Sequence, residues 1–249
     1  MRCAMEVLMR ILIARVAMPL LTGLLPLGAF AGAAPESNQV LLLMREFDRD
    51  HPAAQKLAQH TPFVALRLWS ALEDAGYKVT TASENGERGF INPNDDAVLV
   101  DLAAADVNVR DYAAIVLPCI TTLLYLIDDT SAVPFVFADN ESRLLQRATR
   151  ALVLLGAQHE GSIALARAGV LDDRQFAYYL DPINARFPYQ RDESFAEAIY
   201  AGTDLVQDGN VITSAHCGPL GVVYNNTWTE EHEAKVDEFV DAILAGIGA

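Results

Sequence analysis

The chain has 249 residues, 52% of them hydrophobic, which is enough to bury a sizeable core. Its formal net charge of −15 describes a surface that repels phosphate backbones and anionic lipid, and this argues against nucleic-acid binding. Acidity says little else, because solubility alone accounts for it.

Arg2, Arg10 and Arg15 precede an apolar stretch from Val16 to Ala34 that ends in small residues before Pro35. A basic start, an apolar middle and an A-x-A end describe a secretory signal peptide over residues 1–34, with cleavage after Ala31 or Ala33; an uncleaved anchor helix is the alternative. Cys3 lies before the apolar region and so cannot be a lipid-bearing cysteine. The expectation is an exported protein, periplasmic or secreted, with no stable membrane association after signal removal. Residues 35–249 then form a single α/β domain with a net charge of about −17, since Arg2, Arg10 and Arg15 leave together with Glu6.

Val40 to Met44 reads as a strand buried on both faces. An irregular charged stretch follows to Gln59. Val64, Leu66, Leu68, Trp69, Leu72 and Ala75 recur at helical spacing, and Gly76 supplies a stop. Lys78 to Ala82 is a second strand, residues 84–97 a loop or small hairpin, and Val98 to Leu102 a short added strand. Tyr112 to Leu117 is a buried strand that halts at Pro118-Cys119. Asn140 to Arg150 is a helix that Asn140 or Asp139 can cap. Leu152 to Ala157 is the central apolar strand. It runs into the polar knot Gln158-His159-Glu160-Gly161-Ser162, after which Ile163 to Ala168 is helical and Gly169 ends it. Gln175 to Leu180 and Val211 to Ser214 read as strands, with a tight-turn signal at Asp208-Gly209. Thr227 and Glu230 form a capping-box pattern. Val236, Phe239, Val240, Ile243, Leu244 and Ile247 then make the apolar stripe of the last helix. Strands alternating with helices point to a mostly parallel, doubly wound sheet with helices on both faces. In such a sheet Pro118-Cys119, Gln158–Ser162 and Ala215–Cys217 all fall at carboxyl ends of strands, where a site forms. Trp69, Trp228 and the Tyr178-Tyr179 pair read as packing residues rather than ligand platforms. Asn140-Glu141-Ser142 and Asn225-Asn226-Thr227 match glycosylation acceptors.

Several phrases resemble the ThiJ/PfpI superfamily, which has a class I glutamine-amidotransferase-like fold. They are Ala75-Gly76-Tyr77-Lys78-Val79-Thr80-Thr81-Ala82-Ser83, Asp111-Tyr112-Ala113-Ala114-Ile115-Val116-Leu117-Pro118, Leu165-Ala166-Arg167-Ala168-Gly169-Val170-Leu171 and Asp208-Gly209-Asn210-Val211-Ile212-Thr213-Ser214. They come in the family's order and cover most of residues 40–245. The resemblance implies a flavodoxin-like three-layer sandwich and a homodimer. It also implies a cysteine at the strand-to-helix elbow, usually followed by histidine and glycine, an acidic residue on the first helix beside it, and a glycine pair after the "LP" of the Asp111–Pro118 strand. At the elbow, unpaired backbone N–H groups and the helix dipole lower a thiol's pKa.

This chain departs from that pattern, since no cysteine lies between Cys119 and Cys217. Counting back from Leu165-Ala166 puts His159 in the nucleophile slot; aligning the family's histidine on His159 puts Gln158 there, with Glu160 as an extra residue. The first-helix acid is missing, because Thr61 to Leu66 contains no carboxylate, and the glycine pair after "LP" has become Cys119-Ile120. The family's usual cysteine catalysis is therefore expected to be absent. His159 and Glu160 read either as a general base and acid or as polar residues that satisfy a helix start. Ser162 is not in a G-x-S-x-G pattern and reads as a pocket residue with Ser214, His216 and Cys217. Cys119 and Cys217 are open to three readings: a disulfide with each other, a soft metal site with His159 and His216, or, for Cys119, a thiol standing in for the elbow cysteine from a neighbouring strand. No metal is the main reading, because the four ligands lack CxxC or HxxxH spacing, and no cofactor is expected. The function expected is binding or transformation of a small molecule in a pocket at the strand ends. A hydrolase- or lyase-like enzyme using His159 or Cys119 stands beside a non-catalytic binding or stress-related module.

Overall fold

A computed structural model describes residues 37–44, 61–91, 97–118, 139–159, 161–178, 192–202, 204–215 and 230–248. In the first strand, β1 (Gln39–Leu43), every residue from Val40 on is buried. Leu41 and Leu43 join one apolar cluster, while Val40, Leu42 and the following Met44 join a second. Strand side chains alternate between faces, so a run that is apolar at every position has to be covered on both sides.

Helix α1 (Thr61–Asp74) follows, then strands β2 (Lys78–Ser83), β3 (Arg88–Ile91), β4 (Ala97–Leu99), β5 (Leu102–Ala103) and β6 (Ala114–Leu117). Next come helix α2 (Asp139–Arg150), strand β7 (Leu154–Gln158) and helix α3 (Gly161–Arg167). Strands β8 (Gln175–Ala177), β9 (Ile199–Gly202), β10 (Leu205–Asp208) and β11 (Val211–Ser214) precede the last helix, α4 (Glu230–Ile247). Seven strands form the main sheet in the order β10-β11-β7-β6-β1-β2-β5. All are parallel except β10, which returns antiparallel to β11. The chain winds outward from β1 through β2 on one side and through β6, β7 and β11 on the other. The sheet therefore reverses direction between β1 and β6, where doubly wound folds open a crevice at the strand carboxyl ends.

Helices α2 and α3 cover one face, packing Leu144, Leu145, Ile163 and Leu165 onto Leu41, Ile115 and Leu155. Helices α1 and α4 cover the other, packing Leu68, Leu72, Val236, Phe239 and Ile243 onto Leu42, Val116 and Ile212. Helix α4 sits close to β7 because Gly156 has no side chain: a Cβ there would overlap Ile243 Cδ1. The result is the α/β three-layer, doubly wound architecture expected from the sequence.

Boundaries differ from expectation in instructive places. Val98 to Leu102 is split, since Ala97–Leu99 pairs antiparallel with β3 and Leu102–Ala103 pairs with β2 in the main sheet. Tyr112 to Leu117 shortens to β6, because Tyr112 closes the 3-10 turn Val109–Asp111, its N–H donating to Val109 O. The described part of Gln175 to Leu180 holds β8, which lies outside the main sheet and pairs with β9, and neither β9 nor β10 is among the expected elements. Gly209 does turn the chain between β10 and β11, at φ 59°. Helix α2 is capped neither by Asp139 nor by Asn140. Glu84, just past β2, sends its carboxylate to accept the N–H groups of Asn140 (3.0 Å) and Glu141 (2.9 Å). The signal-peptide residues, the Thr227 capping position, Trp228, Tyr179 and the Asn225 acceptor lie outside the described residues.

Three helices end in the same way. After α1, Gly76 N–H donates to Glu73 O (2.8 Å) and Tyr77 N–H to Leu72 O (3.0 Å). After α3, Gly169 N–H donates to Ala166 O (2.8 Å) and Val170 N–H to Leu165 O (2.9 Å). After α2, Leu152 N–H donates to Thr149 O (3.1 Å) and Val153 N–H to Ala148 O (3.1 Å). These paired bonds define the Schellman motif, whose turning residue is left-handed and usually glycine. Leu152 fills that role at φ 59°, so β7 begins at Leu154 rather than at Leu152.

Candidate functional site

Strand β7 is buried along its whole length, and the chain bends sharply from Gln158 into α3. The residue that makes the bend is His159, which adopts φ 48°. A non-glycine residue there is strained by contact between Cβ and backbone, at a cost of roughly 1–2 kcal/mol. Local bonds hold it: His159 N–H donates to Ser214 O (2.6 Å), and Ser162 N–H donates to His159 O (3.1 Å). Gly161 lets the first turn of α3 pass over the end of β6, since a Cβ there would lie 3.0 Å from Leu117 O. This is a strand–elbow–helix turn with His159 at its apex. His159 makes the bend, and Gln158 is the last residue of the strand.

The imidazole is buried, with the residue 2% exposed. It lies parallel to the Tyr178 ring, centroids 5.8 Å apart and planes 5° from parallel, which is offset stacking geometry. Tyr178 is positioned by its neighbours. Ala177 N–H donates to Thr213 Oγ1 (2.8 Å), tying β8 to β11 beside the elbow. Tyr178 N–H donates to Gly202 O (3.1 Å). The Tyr178 ring meets Phe195 edge-on at 6.0 Å, and Phe195 packs on Phe176 at 5.1 Å. The Phe195 turn is in turn fastened to α3. Arg167 donates from Nη2 to Asp192 Oδ2 (2.9 Å), while Asp192 Oδ1 accepts from Ser194 Oγ (2.7 Å). Burial by itself raises the Asp192 carboxyl, but the bonds from Ser194 and the Arg167 guanidinium outweigh it and hold the group below its ordinary value.

Ser162 and Ser214, both buried, stand at the same end of the sheet, as the sequence implied. Ser214 is the register partner of Gln158. Tyr178 packs in the core, as the sequence reading expected, and one of its ring neighbours is the elbow histidine. Nothing in the Tyr178-Tyr179 pair points to that, since the pairing depends on β8 leaving the main sheet. Cys119, Glu160, His216 and Cys217, and with them the disulfide and the four-ligand metal alternative, lie outside the described residues. Among the described residues, no group of three or more His, Cys, Asp and Glu side chains could hold a metal ion.

Known proteins resemble this arrangement. The DJ-1/PfpI family model matches residues 64–221. A ThiJ/PfpI domain protein from Brachyspira murdochii superposes with a TM-score of 0.55 at 14% identity, covering 85% of this chain and 97% of its own. The Rapid Encystment Protein of Francisella tularensis gives 0.56 at 14% identity, covering 84% and 98%. A two-domain protein from Anabaena variabilis, with dj-1/thij/pfpi-like and ferritin-like domains, gives 0.57 at 18% identity; 84% of this chain and 50% of that one are covered. A search of curated proteins returned no match. At such identities the superpositions establish the fold alone, whereas the family model spans more than half of the sequence: this chain belongs to the DJ-1/PfpI family.

Proposed function

We propose that this protein binds or transforms a small molecule at the carboxyl end of β7, with His159 in the place where the resemblance expects a cysteine, and that thiol chemistry at the elbow is absent. One observation carries the reading. A buried histidine holds a left-handed backbone at the bend and is stacked on Tyr178. A strained conformation at a strand end in a doubly wound sheet is where such folds keep their working group. Imidazole supplies what a thiolate cannot, because one ring both accepts and donates a proton near neutral pH. In the enzyme form of the proposal His159 is the base, with Glu160 as acid or Cys119 as nucleophile. Ser162, Ser214, His216 and Cys217 complete the pocket.

The chain leaves the two strands that flank β7 at Leu117 and Ser214, two and three residues before Cys119 and Cys217. Both cysteines thus follow strands that neighbour the elbow strand, and in an exported protein this motivates a disulfide between them. Thiol titration of the mature protein, which keeps only Cys119 and Cys217, under denaturing conditions with and without reductant tests the pair: a free thiol before reduction removes the bond. Export is read from residues 1–34 and tested by N-terminal sequencing of protein recovered outside the cytoplasm. The homodimer, proposed from family resemblance, is tested by light scattering.

The functional test is a screen of purified protein against methylglyoxal, esters and peptides, repeated with His159→Ala and Cys119→Ala. Loss of turnover in either variant, with the fold intact by circular dichroism, supports an enzyme at this pocket. Full activity in both variants overturns the assignment. Saturable binding without turnover assigns the non-catalytic binding module.

A further inference from the structure

Gln158 is the residue of β7 least at home in its surroundings. Gly156 lies against Ile243 and Phe239 of α4, and side chains alternate along a strand, so Gln158 is directed to that same layer. Ser214 shares the face, because Ile212, two residues before it, belongs to the α4-side cluster. The apolar residues of α4 in that cluster, Val236, Phe239 and Val240, offer no hydrogen-bonding side chain. The Gln158 side chain is fully buried, and among the described residues neither its Nε2 nor its Oε1 has a hydrogen-bond partner. The Ser162 hydroxyl is in the same condition. Buried amides are nearly always bonded, since burial strips away water and returns nothing unless a partner replaces it. Leucine or methionine would fill a similar volume without that cost. The amide instead stands at the last residue of β7, at the carboxyl end of the sheet, and leads directly into the His159 bend.

We propose that Gln158 reads the ligand of the β7 site and selects a neutral molecule carrying a donor and an acceptor side by side, a carboxamide. The proposal rests on the small-molecule reading above and names its ligand class. A carboxamide side chain offers one acceptor and two donors in a plane. A ligand carboxamide returns the complementary pair and closes a ring of two hydrogen bonds. A carboxylate has acceptors only and leaves Oε1 facing another oxygen, while an ammonium has donors only and leaves Nε2 unmet. The formal net charge of −15 disfavours anions further.

The test is a titration of the full chain with benzamide and benzoate, a matched neutral and anionic pair, followed by thermal shift and ligand-observed NMR. Wild type, Gln158→Met, Gln158→Glu and His159→Ala are compared. Benzamide is expected to bind saturably and benzoate at least about tenfold more weakly, because sites built for hydrogen bonding reject mismatched groups strongly. Gln158→Met should raise the ligand-free Tm by about 2–4 °C, since it removes a stranded polar group, and should abolish the benzamide preference. Gln158→Glu should also lose it. A lower ligand-free Tm in Gln158→Met, an unchanged preference in both variants, or no benzamide binding to wild type overturns the proposal. If both probes bind wild type equally and His159→Ala weakens both, the carboxamide reading falls while the pocket stands. If His159→Ala leaves benzamide binding intact and Gln158→Met removes it, the carboxamide reading holds and the role given to His159 falls.

Discussion

Strand β7 is entered and left through the same unusual backbone. Leu152 before it and His159 after it are both non-glycine residues in the left-handed region, at φ 59° and 48°. Leu152 is 72% exposed, whereas His159 is 2% exposed and stacked on an aromatic ring. The entry turn is a Schellman motif whose counterparts after α1 and α3 use Gly76 and Gly169. Glycine would serve there, and a leucine in water gains nothing from the strain. At the exit the strain comes with burial, a specific ring contact and backbone bonds from two other segments. Positive φ alone therefore does not mark a site; positive φ on a buried group whose surroundings hold it in place does.

The contrast can be tested by removing each side chain. His159→Gly relaxes the backbone but deletes the imidazole, so binding or turnover of any molecule found by the screen should fall at least ~10²-fold. Retained function would make the exit as idle as the entry. Gly161→Ala attacks the bend itself, because the new methyl would crowd Leu117 O and Cβ, at 3.0 and 3.2 Å. Denaturant titration should show a loss of about 1–3 kcal/mol, and no loss would mean that the turn tolerates movement.

Arg167→Met loosens the segment that carries Phe195 toward Tyr178. The folded Asp192 carboxyl sits below its ordinary value of 3.8. Its contribution is thus present above that pH and is lost as pH falls through the folded value. Stability should drop by about 1 kcal/mol near neutral pH and by less in acid. An equal drop at both pH values would remove the electrostatic account. Leu152→Gly should gain about 0.5–1 kcal/mol, seen as a small rise in Tm, with function unchanged. A loss of function there would show that the entry turn serves the site after all.

Much of the fold is legible in the residues alone. The doubly wound sheet follows from continuous apolar runs such as Val40 to Met44 alternating with helical stripes such as Val236 to Ile247, because each pattern fits only one kind of burial. The elbow is legible from an apolar strand, a polar knot and a helix in immediate succession. Leu152 reads as strand, wrongly, because a helix terminus in a Schellman turn carries no required side chain, and leucine does not announce a left-handed residue. Glu84 gives no sign of capping α2, because it lies 55 residues before Asp139 in the chain. Tyr178 reads as packing because its contact with His159 depends on where β8 and β11 meet.

The sequence by itself determined which apolar stretches form the strands and helix faces of the core, how the layers alternate, and that no thiol stands between Cys119 and Cys217. Those properties are local: hydrophobic spacing and residue identity act within a few residues of chain. Only the tertiary structure decided that His159 rather than Gln158 turns the elbow, that Tyr178 stacks on it, and that the Gln158 amide is buried without a described partner. These depend on backbone dihedrals and on contacts between strands distant in sequence, which composition and periodicity do not encode.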